Sequence, residues 1–106
     1  MQDNVQQALS ELRRRFEELY GERLVHLILY GSQARGDARP WSDIDLLVVL
    51  KGPVNDYEES HRTETIAGEI CLQFDVVMIC FFVGEAEYVS GDGALFSNIR
   101  REGVPV

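Results

Sequence analysis

Three short apolar runs, at 24–30, 44–50 and 74–82, alternate along this chain with segments of helical periodicity, and that alternation restricts the fold more than any other feature. Runs of that length bounded by glycine and turn residues suit strands covered on both faces. Between and around them the pattern changes. Val5, Leu9, Leu12, Phe16 and Leu19 step by fours and threes, which puts them on one face of a helix that Gly21 ends. A polar connection at 31–42 has room for a short helix at 33–35, and Pro40 and Trp41 close it. Residues 54–70 read as an acid-rich helix with Ile66 and Ile70 four apart, and 94–102 as a last short helix that stops at Gly103. Strands alternating with helices imply a small α/β sheet with helices packed on it. At 106 residues the chain is expected to form one domain over 1–106.

Charge and cysteine usage remove several classes of function. Ten Lys and Arg against 18 Asp and Glu leave a net charge of −8. Such a surface repels a phosphate backbone, so direct nucleic-acid binding is disfavoured. The basic run Arg13, Arg14 and Arg15 lies among Glu11, Glu17 and Glu18 and reads as a solvated, paired helix face. Cys71 and Cys80 show no metal or redox spacing and read as buried free thiols of a reducing compartment. His26 has no second ligand nearby and reads as a packed or edge residue, and His61 is expected on an exposed helix face. The N-terminal segment has no signal-peptide pattern, and no apolar run approaches the roughly 20 residues of a membrane span. A soluble, cytoplasmic protein is expected.

The chemistry sits in acids placed where apolar residues belong. Asp43 and Asp45 open the second strand, and residues two apart on a strand share a face. Asp75 is a lone acid at the start of the third apolar run, so neighbouring strands would bring three carboxylates together. Unpartnered, those anions repel one another; a divalent cation removes that cost. Hard oxygen ligands without His or Cys select Mg²⁺, which prefers to share its site with substrate phosphates. Upstream, Gly31 lets backbone N–H groups approach an anion and Ser32 adds a hydroxyl, while Arg35 and Arg39 on the same connection are suited to a triphosphate.

Gly31, Ser32, Ala34, Arg35 and Gly36, followed by Ser42, Asp43, Asp45 and Leu46, resemble the signature of the minimal nucleotidyltransferases, members of the DNA polymerase β-like superfamily. Asp75 matches that family's third acid, and 95–103 is similar to its C-terminal helix. The resemblance implies a polymerase β-like nucleotidyltransferase fold, α/β (α+β), with a small mixed sheet and helices packed on one face. It implies that Asp43 and Asp45 bridge two Mg²⁺ ions, and that Asp75 binds the catalytic ion and orients or deprotonates the attacking hydroxyl. It also implies that Gly31 and Ser32 hold the β- and γ-phosphates of ATP, with Arg35 assisting. By the same resemblance the protein is an antitoxin that moves AMP from ATP onto a hydroxyl, a tyrosine, of a HEPN-type helical toxin. Two alternatives stand beside it: a binding module that neutralises its partner by occlusion, and a small-molecule nucleotidyltransferase, which the absence of an acceptor domain disfavours. Phe81, Phe82, Val83 and Tyr88 are candidates for partner docking, with core packing the expected fate of the two phenylalanines.

Overall fold

Helix α1 spans Asp3–Tyr20 and buries Val5, Leu9, Leu12 and Phe16 on one face, as the spacing requires. The face does not continue through Leu19, which is 42% exposed; Tyr20, four residues beyond Phe16, takes its place in the core. The computed structural model describes residues 2–106. A single 3₁₀ turn leads into β1 (Leu24–Tyr30), followed by the short helix α2 (Gly31–Arg35) and β2 (Ile44–Leu50). Helix α3 (Asp56–Phe74), β3 (Met78–Gly84), α4 (Glu85–Ser90), α5 (Ala94–Glu102) and β4 (Val104–Pro105) complete the chain.

The strands form one mixed sheet in the order β3-β2-β1-β4. Strands β1 and β2 are antiparallel, with Tyr30 opposite Asp45, while β2 and β3 are parallel, with Asp45 beside Ile79. A parallel pair needs a crossover connection, and α3 supplies it. Alternation divides β2 between two cores. Ile44, Leu46, Val48 and Leu50 face α1 and α3; Leu47 and Val49 face Ile99 of α5, with Tyr88 and Phe96 packed alongside. Helices therefore cover both faces of the sheet rather than the one expected, because α5 folds back over the side opposite α1 and α3. Phe82 and Val83 are buried, and Phe81 and Tyr88 pack against the second cluster, so these four residues form core and not an open docking surface. The arginine run is paired as expected: Arg13 with Glu17, Arg14 with Glu11 and Glu18, all exposed pairs that add little stability. Both cysteines are free, and burial pushes the Cys80 thiol up to about 12. Among the described residues no helix is long and apolar enough to cross a membrane.

One polar group is set into the α1–α3 interface. Glu59 is 4% exposed; its Oε1 accepts from the Tyr20 hydroxyl at 2.7 Å and from Arg62 Nε at 2.9 Å. A buried carboxylate without its donors is costly. Tyr20→Phe is therefore expected to lower unfolding stability by about 1–3 kcal/mol, read from the urea midpoint, with little change in the denaturant slope.

Candidate active site

The end of β1, the start of β2 and the start of β3 lie at the same edge of the fold, and the motif residues gather there. Gly31 has φ +73, a region in which a side chain is strained, and it begins α2 immediately after β1. The space above its Cα belongs to Asp45: a Cβ at this position would stand 2.5 Å from Asp45 Oδ2. Glycine is required twice here, once for the backbone and once for the carboxylate lying against it. Ser32 follows in the first turn of α2, where N–H groups have no intrahelical acceptor.

Asp43 is exposed and Asp45 partly buried on the sheet face opposite Ile44 and Leu46. Burial, and then the neighbouring charge of Asp43, raise the Asp45 carboxyl above the usual carboxylate range, while Arg35 acts in the opposite direction. Two adjacent anions, of which Asp45 is partly dehydrated, are stabilised by a cation. Their donor atoms are hard oxygens, and Mg²⁺ is commonly held by one or two carboxylates together with substrate phosphates. The pair fits that ion.

Asp75 is placed differently from the expectation. It lies in no strand: α3 continues to Phe74, Asp75 is its C-cap in the left-handed conformation (φ 57, ψ 54), and β3 begins at Met78. The N–H groups of Asp75 and Val76 both donate to the Cys71 carbonyl, which closes the helix. The parallel register sets Ile79 beside Asp45, and Ile44 N–H donates to the Val77 carbonyl. Among the described residues no three His, Cys, Asp or Glu side chains gather to hold one metal ion. Asp43 and Asp45 are thus close neighbours at the entry to β2, and Asp75 stands at the end of α3 rather than in β3. Arg35 faces the pair from α2 and is itself held by Asp37 at 3.2 Å and Glu102 of α5 at 3.4 Å. Arg39 stands over the Trp41 ring, 5.9 Å from its centroid, rather than beside Asp45. Tyr30 was not singled out in the sequence. It stands opposite Asp45 on β1, and burial followed by the Asp45 charge raises its phenol above the ordinary value. Its position immediately before Gly31 was the available signal.

Comparison with known proteins agrees with this geometry. A family profile described as "Nucleotidyltransferase domain" matches residues 9–88. A Methanocaldococcus jannaschii protein named "Putative protein adenylyltransferase MJ1305" is 35% identical over 66 residues, 62% of this chain and 43% of that protein. The chain thus spans under half the length of that relative. A second protein of the same organism, "Putative protein adenylyltransferase MJ0141", is 29% identical over 70 residues, 66% of this chain and 70% of that one. Among solved structures, a toxin–antitoxin crystal structure with AMP-PNP superposes with a TM-score of 0.61 at 16% identity, covering 88% of this chain and 68% of that one, and shares the fold. The matched stretch runs from α1 into α4 and takes in Gly31, Ser32, Asp43 and Asp45, so the chain belongs to the nucleotidyltransferase domain family.

Proposed function

We propose that this protein is a Mg²⁺-dependent nucleotidyltransferase that moves AMP from ATP to a tyrosine hydroxyl of a HEPN-type toxin and so acts as a cytoplasmic antitoxin. One observation carries the reading: the Asp45 carboxylate lies against the Cα of Gly31, next to Ser32, with Asp43 just before the strand that carries Asp45. Acids and phosphate-binding groups are thereby built into one corner. The names of the relatives and the nucleotide analogue in the structural neighbour support the same reading. In this scheme Ser32 and the free N–H groups of α2 donate to the phosphates, and Arg35 balances their charge. Asp43 and Asp45 would hold Mg²⁺, which when bound polarises the phosphate and neutralises the leaving pyrophosphate. The acceptor oxygen bonds to the α-phosphorus as the bond to pyrophosphate breaks, and the hydroxyl proton passes to water. A second reading is neutralisation of the partner by occlusion, favoured by the placement of Asp75 at the C-cap of α3 rather than in β3.

Incubation with Mg²⁺, ATP labelled at the α-phosphate and the protein encoded next to this one separates the two. Label on a tyrosine of that partner, lost in Asp45→Asn, supports transfer. Binding without label, unchanged in Asp45→Asn, supports occlusion.

The same pair has a consequence for stability. The Asp45 carboxyl is raised above its unfolded value. Its ionised form therefore weakens the fold: stability falls as pH rises through the window above the ordinary carboxylate range, and the loss persists at neutral pH. Asp45→Asn is expected to leave the metal-free protein as stable or more stable at pH 7. Mg²⁺ at a hundredfold excess over Kd should add about 2.7 kcal/mol to the parent and nothing to the variant, measured by thermal melting.

A further inference from the structure

The sheet ends differently at its two edges. On one side β4 is two residues long and includes Pro105, which has no N–H to offer a further strand. On the other side β3 runs Met78–Gly84 without a charge or a proline, and among the described residues no strand lies beyond it. An apolar edge of this length is normally guarded by charge, proline or a covering element, because it is a template for pairing with another strand.

Backbone bonds decide which groups of this edge are open. Ile44 N–H donates to the Val77 carbonyl, so Val77, Ile79, Phe81 and Val83 turn their N–H and C=O groups towards β2. Met78, Cys80 and Phe82 turn theirs outward. Phe82 N–H is already taken, since it donates to Asp56 Oδ1 at 2.8 Å. At the other end Val76 N–H donates to the Cys71 carbonyl at 3.1 Å. Between these closed positions the outward groups of Met78 and Cys80 have no partner among the described residues. The side chains show the same gap: Ile79 is 48% exposed and Val77 57%.

Open residues two apart, closed on either side, define a register. Antiparallel strands exchange both of their bonds at alternate residue pairs. Against a second copy of the same edge, Met78 comes opposite Cys80 and Cys80 opposite Met78, and every open group finds a partner. Any other antiparallel register asks Phe82 or Val76 for an N–H that is already used. The centre falls at position 79, a pair without hydrogen bonds whose Cα atoms approach to about 4.5 Å, so Ile79 meets its own copy. Charge agrees with this choice. A net charge of −8 on each copy opposes association over the surface at large, whereas 76–84 carries no charge.

We infer that β3 is a self-association edge, at which two copies of this chain join their sheets antiparallel about a two-fold axis at Ile79. The contact uses the same patch on both copies and closes on itself, which makes a dimer rather than a fibre and leaves only the short, proline-bearing β4 edges. Ile79 stands beside Asp45 in the parallel register, so each carboxylate pair lies one strand in from the seam. A seam of one strand per copy is small, and reversible association at micromolar concentrations or above is expected.

Sedimentation equilibrium from micromolar to millimolar concentration should show monomer and dimer and nothing larger. Added salt should tighten the pair by screening its net charge. Ile79→Lys sets like charges opposite each other and should weaken association at least about tenfold, while Val89→Lys, at an exposed position on α4, should not. Oxidation reads the register: Ile79→Cys should cross-link to its own copy, whereas Val77→Cys, offset from its copy by about 13 Å of strand, should not. Ile79→Cys adds no charge, so the test stands even if the lysine variant fails to fold. A chain that stays monomeric at millimolar concentration overturns the inference and leaves the edge to a strand of another protein. Association undiminished by Ile79→Lys, or cross-linking at Val77 rather than Ile79, overturns it too.

Discussion

Asp43→Asn is expected to lower nucleotidyl transfer by about a thousandfold while leaving the protein folded. The neutral amide keeps the shape of the side chain and removes one of the two charges that would hold the ion. Stabilisation of phosphoryl charge by a metal is worth several kcal/mol, and each 1.36 kcal/mol is a factor of ten in rate. Loss of about 4 kcal/mol gives the thousandfold figure. Asp43 is exposed at the entry to β2 and contributes nothing to either apolar cluster, so its melting temperature should stay at or above that of the parent. Transfer of label to the acceptor, measured beside a thermal melt, checks both halves. A variant that retains a tenth or more of the parent rate contradicts the assigned role.

Gly31→Ala carries the second large effect, and it acts through the backbone. Alanine at φ +73 costs roughly 1–2 kcal/mol by itself. The added Cβ, 2.5 Å from Asp45 Oδ2, would also push the carboxylate from its place. Nucleotide affinity in the presence of Mg²⁺ should fall at least tenfold, together with that stability loss. Gly52→Ala is the control: its φ is +80, and a Cβ there meets nothing within 4 Å. It should show a similar stability loss with unchanged nucleotide affinity. Equal affinities in the two variants would mean that the contact between Gly31 and Asp45 has no part in binding.

Much of the architecture was legible because side-chain periodicity is local. The limits of β1, β2 and α5 follow from apolar runs and glycine stops, and Asp45 takes its expected place in β2 while Asp43 falls just before it. The misreadings came where a non-local partner decides. Tyr20 replaces Leu19 in the core because Glu59, 39 residues away, accepts its hydroxyl. Phe74 looked like the first residue of a strand, yet Ile66, Ile70 and Phe74 continue a four-residue step, and the helix follows it. Asp75 then falls at a helix end, where a left-handed conformation that aspartate tolerates turns the chain. A lone acid preceding an apolar run has the same composition in either place. Helices on both faces were missed because α5 lies over Leu47 and Val49 through contacts distant in sequence. The two residues of β4 are too few to show a period.

The central claim is that Asp43 and Asp45 together hold a divalent ion against a bound nucleotide. Mn²⁺ can replace Mg²⁺ and be followed by its paramagnetic signal, in a titration with a non-hydrolysable ATP analogue. The parent is expected to bind Mn²⁺ and nucleotide together, and the Asp43→Asn/Asp45→Asn double variant at least tenfold more weakly while melting no lower than the parent. Equal Mn²⁺ affinity in the two proteins would contradict the account.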